Sequence, residues 1–199
     1  SANPAHIILF TLSILPKSMS FLFRLSAILA VLPLFSCTPD APNDPVCRVA
    51  ESLVLTNVNP NEGQYEAAAC IIKTGNKVLM IRHRLSGKLD FPGGGKSHNN
   101  ESEQSLACTA HRETWEETGF NVEIQQFLGT TARGLALFGC GLDAGLDDLP
   151  NTFDAPPWSV IEVLALEKVD PFLLNHDDLR FSDDLIPLRD GYIAIKNKQ

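Results

Sequence analysis

The stretch of sequence that decides the fold reads Arg112-Glu113-Thr114-Trp115-Glu116-Glu117-Thr118-Gly119-Phe120. On a helix, Glu113 shares a face with Glu116 and Glu117, because residues three and four positions apart are neighbours. Like charges at this spacing destabilise a helix by roughly 0.2–0.5 kcal/mol per pair. The pattern therefore predicts a helix that presents its carboxylates to a positive partner and ends at Gly119 in a left-handed conformation.

A glycine turn, Phe91-Pro92-Gly93-Gly94-Gly95, lies upstream of the acidic helix. Arg112 neutralises only part of the carboxylate cluster, whereas hard divalent cations such as Mg²⁺ and Mn²⁺ prefer oxygen ligands and bring substrate phosphates with them. A solvated acidic helix end is the alternative interpretation. The glycine turn beside the helix favours the metal site.

The segment Gly95-Lys96-Ser97 is similar to the end of a phosphate-binding P-loop. That motif requires a glycine five residues before Gly95, where Asp90 stands, and an apolar helix directly after it. The residues that follow, 98–102, are polar instead. We therefore disfavour the P-loop interpretation.

The acidic helix and the glycine turn together resemble the Nudix box. The residues that fall on their positions in the family pattern are Arg112, Glu113, Glu116, Glu117, Gly119 and Phe120. Thr114 stands where the family has an apolar residue. The second half of the box is therefore nearly complete.

The first half of the box does not keep the family spacing. Counting forward from Gly95 places Glu101 on the first glutamate, but ten residues separate it from Arg112 instead of seven. Counting back from Arg112 reaches Gln104, next to Glu103. An insertion in this loop explains the difference, and it leaves Glu101 or Glu103 as the first acidic residue or leaves that role vacant.

The resemblance implies an α/β/α sandwich with a mixed β-sheet over residues 65–199. It also implies hydrolysis of a diphosphate linkage in a nucleoside diphosphate derivative or related diphosphate compound, with Mg²⁺ or Mn²⁺ as cofactor. Glu116 and Glu117 would ligate the metal with the carbonyl of Gly95. Glu113 would bridge a metal or accept a proton from the attacking water, held by a bidentate ion pair with Arg112. A noncatalytic binding module is the alternative function, because the first half of the box is broken.

The composition and net charge limit the kinds of partner that we expect the protein to bind. The chain of 199 residues is 44% hydrophobic and carries a net charge of −8, which is typical of one globular domain. An acidic protein has no general field that attracts anions, so we predict no nucleic-acid partner and a greater need for metal. The expected partner is a diphosphate-containing small molecule or a lipid-linked diphosphate, and the oligomeric state is left open.

The N-terminal residues predict export. After Met19, a basic residue, Arg24, precedes a short apolar stretch over residues 25–35, the order of a secretory signal. Leu34-Phe35-Ser36-Cys37 is similar to the lipobox of bacterial lipoproteins, which implies a lipidated Cys37 and a membrane-anchored, periplasm-facing protein. A plain cleaved signal and an uncleaved anchor are the alternatives. Residues 1–18 are expected to precede the start site, and residues 38–64 to form a tether and leading segment.

Four cysteines remain after Cys37 is set aside: Cys47, Cys70, Cys108 and Cys140. In an exported protein an even number predicts disulfides, and three connectivities are possible. We favour Cys47–Cys70, which would fasten the leading segment, and Cys108–Cys140, which would fasten the acidic helix. A zinc site is the competing interpretation, but the chain has no Cys-x-x-Cys pair.

Apolar patterning predicts the remaining elements. Strands are expected over residues 67–73, 77–84, 122–128, 135–140 and 160–166, and a short helix over residues 171–179. In the acidic helix, Leu106, Ala110 and Thr114 form a buried stripe at four-residue steps.

A few further side chains have two interpretations each. We favour packing over substrate contact for Trp115. Arg82 and Arg84 either steer a polyphosphate toward the glycine turn or are solvated. His98 and His111 are expected at the surface.

Overall fold

The computed structural model describes residues 39–40, 42–55, 65–97, 105–143 and 145–195. The predicted leader, the lipobox with Cys37, the two candidates for the first glutamate (Glu101 and Glu103) and His98 all lie outside the described residues. In the part that is described, no helix is long and apolar enough to cross a membrane.

The described residues form three α-helices and eight β-strands, each class numbered in chain order. Helices are α1 (Glu51–Leu55), α2 (Leu106–Thr118) and α3 (Leu185–Ala194). Strands are β1 (Ala67–Thr74), β2 (Lys77–His83), β3 (Leu89–Asp90), β4 (Gly93–Gly95), β5 (Glu123–Thr130), β6 (Leu135–Gly141), β7 (Thr152–Phe153) and β8 (Val163–Val169).

One mixed sheet organises the domain. Its main path runs β5-β6-β1-β2-β8-β7, with β3 paired to β2 and β4 paired to β1. The pairing of β1 with β6 is parallel, whereas the other named pairs are antiparallel. The predicted mixed β-sheet is confirmed.

The two faces of the sheet are covered by different helices. Because side chains alternate along a strand, Ala68 and Cys70 of β1 join a core cluster with Leu106 of α2. Ile71 joins a second cluster with Leu188 of α3 on the opposite face. The predicted α/β/α sandwich is therefore confirmed, and β1 is apolar throughout because both of its faces are buried.

Helix α2 has a capped first turn and ends where the sequence predicts. The Ser105 side chain accepts a hydrogen bond from the backbone N–H of Cys108 at the first turn. Gly119 stands at the other end with φ 73°, a conformation in which a side chain would be strained. The stripe of Leu106, Ala110 and Thr114 is fully buried, as predicted.

The C-terminal prediction was wrong. Residues 171–179 form turns and one short 3₁₀ segment, His176–Asp178, instead of an α-helix. The helix lies later, at α3, which contains Pro187 and Gly191. Proline is tolerated there because it lies in the first turn, and Gly191 allows α3 to approach Ile71 of β1. Likewise, the strand expected at 160–166 begins three residues later, at Val163.

The predicted disulfide pairing was also wrong. The structure joins Cys47 to Cys108 and Cys70 to Cys140, with Cα atoms 5.5 and 5.6 Å apart. Strands β1 and β6 are parallel neighbours in which Cys70 lies opposite Phe138, so Cys140 is a diagonal neighbour on the same face. In the structure all four of these cysteines form disulfides, so none of them is placed as a zinc ligand.

Candidate active site

Strand β4 and helix α2 meet at the glycine turn. Gly93 lies opposite Ala69 of β1 in the sheet, where a side chain would collide with the neighbouring strand. A Cβ on Gly94 would stand 2.5 Å from Oε2 of Glu113. The absence of side chains in β4 thus allows the Glu113 carboxylate of α2 to lie against the backbone of the turn.

Glu117 is the buried carboxylate of this site, with 8% of the residue exposed. It accepts a hydrogen bond of 2.8 Å from the backbone N–H of Gly93. Burial raises the pKa of Glu117 well above its ordinary value, and the charges of Glu113, Asp90 and Glu162 raise it further, against the opposing effect of the Gly93 hydrogen bond. A cation beside Glu117 would relieve this excess of buried negative charge.

Arg112 gathers three oxygens of the site around its guanidinium group. Its Nη2 lies 2.8 Å from Oε1 of Glu113 and donates to the carbonyl of Gly95 at 2.7 Å. Its Nη1 donates to Oε2 of Glu116 at 2.9 Å. The expected bidentate ion pair of Arg112 with Glu113 is represented by the contact from Nη2 to Oε1, and the guanidinium is shared with Glu116 and Gly95 as well.

The predicted ligands therefore lie together, but they face different partners. Among the described residues, no group of three or more His, Cys, Asp or Glu side chains is arranged to hold a metal ion. Glu113 and Glu116 face Arg112, whereas Glu117 faces Gly93. The oxygens around Arg112 are of the carboxylate and carbonyl types that a divalent cation prefers.

Two tryptophans lie at the end of α2 that carries the site. Trp115 packs against Trp158, with ring centroids 6.2 Å apart, in agreement with the packing role favoured for Trp115. The indole N–H of Trp158 donates to the backbone carbonyl of Glu116 at 2.9 Å. Sequence reasoning missed Trp158 and the nearby charge of Glu162, because both lie beyond β7 and belong to no motif.

The other singled-out side chains have structural partners. Arg82 forms an ion pair with Glu167 of β8 and donates to the carbonyl of Gly87 at 2.6 Å. The surface position predicted for His111 was wrong: it is 1% exposed, and its Nε2 lies 2.9 Å from Oδ1 of Asn121. Burial lowers the pKa of His111, which favours the neutral form of its imidazole.

Comparison with known proteins adds an independent finding. The family profile of the NUDIX domain matches residues 64–175, more than half of the chain and inclusive of the glycine turn and α2. A MutT-like protein of Streptomyces ambofaciens is 27% identical over 129 residues, which cover 55% of this chain and 81% of the relative.

Solved structures are similar at lower identity. An ADP-ribose pyrophosphatase from Streptococcus suis is 19% identical with a TM-score of 0.49, covering 67% of this chain and 92% of that protein. A UDP-X diphosphatase is 17% identical with a TM-score of 0.48, and the match covers 73% of this chain and 71% of that protein. A NUDIX hydrolase from Nitrosomonas europaea is 26% identical with a TM-score of 0.47, and the match covers 63% of this chain and 69% of that protein.

Proposed function

This chain belongs to the Nudix hydrolase family, and from that premise we propose that it uses Mg²⁺ or Mn²⁺ bound at α2 to hydrolyse a nucleoside diphosphate derivative or related diphosphate compound. As a pyrophosphohydrolase it would break a diphosphate linkage. Support for the metal dependence comes from the buried Glu117 carboxylate, which is surrounded by further acidic groups beside a glycine turn.

The residues that would hold the metal are Glu113, Glu116, Glu117 and the carbonyl of Gly95. Such a cation neutralises phosphate oxygens and acidifies water, which are the two needs of this reaction. Glu116 and Gly95 now share the guanidinium of Arg112, so we expect metal binding to draw these oxygens away from Arg112. The ion pair of Arg112 with Glu113 would then remain to orient Glu113.

Glu113 is the proposed proton acceptor. Water attacks one phosphorus of the diphosphate, the bridging P–O bond breaks, and the two phosphorylated products separate. The proton of the attacking water passes to the Glu113 carboxylate, which lies against Gly94 where the turn leaves room for it. Arg112 stabilises the ionised form of Glu113 that this step requires.

The test is phosphate-group release from a panel of nucleotide, sugar-nucleotide and lipid diphosphates with Mg²⁺ or Mn²⁺. We expect turnover by the native chain, and Glu116→Gln should lower kcat by more than the roughly 10- to 100-fold typical of outer-shell partners of a metal. Glu51→Gln, an exposed position on α1, is the matched control and should retain full activity. Equal activity in the two variants would refute the ligand assignment.

A noncatalytic binding module remains the second candidate, because the first acidic position of the box is displaced. It predicts that a diphosphate compound binds and raises the melting temperature by mass action while no product forms with any metal. The same panel, followed by thermal shift and product analysis, separates the two functions.

We further propose that the protein is exported and held at the membrane by a lipid on Cys37. Support comes from the sequence order of Arg24, the apolar stretch 25–35 and the lipobox-like Leu34-Phe35-Ser36-Cys37. That location favours extracellular nucleotides, sugar nucleotides or lipid-linked diphosphates as substrates. Cys37→Ser should release the protein from membranes in a cell that processes lipoproteins, and unchanged retention would refute lipidation.

A further inference from the structure

We infer that Trp158 is a positioning residue for the metal-binding end of α2, through the hydrogen bond from its indole N–H to the Glu116 carbonyl. This inference rests on the proposed function, since it concerns the helix turn that carries Glu116 and Glu117. Trp158 belongs to the connection between β7 and β8 and lies outside the acidic motif of α2.

A helix end leaves backbone carbonyl groups in need of a donor. The last four carbonyl groups of an α-helix lack intrahelical partners, and they need another donor or water. In α2 the carbonyl of Trp115 accepts from the N–H of Gly119 at 2.8 Å. The next carbonyl, that of Glu116, accepts from Trp158. The donor thus reaches the backbone of a proposed metal ligand, and it sets the orientation of the peptide group that follows Glu116.

The Trp158 ring is itself held by packing. It lies against Trp115, and its Cζ2 atom is 3.6 Å from the place where a Cβ of Gly119 would stand. The indole therefore packs beside the residue that ends α2. Since both the ring and the helix end are fixed, the hydrogen bond has little freedom to shift.

The connection that carries Trp158 is fixed as well. The backbone N–H and the hydroxyl of Ser159 both donate to the carbonyl of Pro156, at 3.0 and 3.1 Å. The N–H of Val163, the first residue of β8, donates to the carbonyl of Ser159 at 2.9 Å. Trp158 therefore ties the end of α2 to the central sheet through a short, hydrogen-bonded turn.

The chain offers a matched control, because its two tryptophans are the members of this ring pair. Among the described residues, the buried indole N–H of Trp115 has no hydrogen-bond partner, whereas that of Trp158 has one. Trp158→Phe and Trp115→Phe therefore remove similar ring area, but only the first removes a hydrogen bond to α2.

The experiment measures the Kd for Mn²⁺ of the native chain and both variants by titration with electron paramagnetic resonance, and kcat and KM on the best substrate of the panel. Trp158→Phe should weaken Mn²⁺ binding by about five- to tenfold, the factor that corresponds to one hydrogen bond. It should lower kcat more than it changes KM. Trp115→Phe keeps an aromatic ring against Trp158 and leaves the hydrogen bond to Glu116 in place, so its Kd should stay within about twofold of the native value.

A second variant removes the dependence on ring size. In a Trp115→Phe background, Trp158 is the single tryptophan, so incorporation of benzothienylalanine replaces that indole by an isostere without an N–H. The same weakening of Mn²⁺ binding in this protein supports the inference. Equal weakening in Trp158→Phe and Trp115→Phe, or none in either, overturns it. A native chain that binds no Mn²⁺ overturns the proposed metal site and this inference together, whereas native binding with unaffected variants overturns this inference alone.

Discussion

Removal of the Cys47–Cys108 disulfide should destabilise the protein by about 4 kcal/mol. The two cysteines are 61 residues apart, and a crosslink over that distance lowers the entropy of the unfolded chain by about 14 cal/mol/K, which is about 4 kcal/mol at 25 °C. For a chain of this size such a loss lowers the melting temperature by about 10 °C.

The perturbation is the double variant Cys47→Ala/Cys108→Ala, measured by equilibrium unfolding in urea. Cys70→Ala/Cys140→Ala is the comparison, with a separation of 70 residues and nearly the same entropic effect. Because Cys70 and Cys140 lie in the core, this second variant also leaves a cavity and should lose more stability. The contrast separates crosslinking from core packing.

Connectivity is checked on the native protein by mass analysis of a nonreduced digest. The structure predicts peptides that join Cys47 to Cys108 and Cys70 to Cys140. A peptide that joins Cys47 to Cys70, or a loss below about 1 kcal/mol in the first double variant where about 4 is expected, would refute the reasoning.

Three further predictions concern single side chains. Thr114→Val should raise the free energy of unfolding in urea by about 1 kcal/mol, because the buried Thr114 hydroxyl has no partner among the described residues; a loss of stability would contradict this account. Lys168→Met should lower the free energy of unfolding by about 3 kcal/mol, since the Lys168 ammonium donates to the carbonyls of Leu146, Asp147 and Leu149 at 2.9, 3.2 and 2.5 Å. An unchanged urea midpoint would show that these hydrogen bonds do not stabilise the fold. Burial raises the pKa of Glu117, so the stability that Glu117 contributes to the metal-free protein should be fully present below the ordinary glutamate pKa and should fall as pH rises through the folded value. When unfolding is measured across pH in the presence of a chelator, Glu117→Gln should remove this loss of stability. Parallel pH profiles in the two proteins would show that Glu117 is not the source of the loss.

Helix α2 was predictable because its signals are local. The spacing of Glu113, Glu116 and Glu117 places them on one face of any helix, and Gly119 is suited to the left-handed residue that ends it. The hairpin of β1 and β2 was likewise predictable from two apolar runs around Thr74-Gly75-Asn76. In each case the interacting residues are only a few positions apart.

The later helix was not predictable from propensity. Pro187 and Gly191 both disfavour a helix interior, yet α3 forms because Leu185 and Leu188 cover one face of the sheet. The burial of His111 beside Asn121 has the same origin, since helix periodicity alone did not identify which polar side chain would be enclosed.

The sequence alone was sufficient for the acidic helix and its carboxylate face, because short-range spacing specifies faces and ends of elements, and for the sandwich class through the resemblance of its motif to the Nudix box. The folded arrangement was needed for the cysteine pairing, the division of Arg112 between Glu113, Glu116 and Gly95, and the contact of Trp158 with α2. The contact of Arg112 with Gly95, the contact of Trp158 with Glu116 and the two disulfides join residues 17 to 70 positions apart. They follow from the order and register of the strands in the sheet, which the pattern within a single element does not specify.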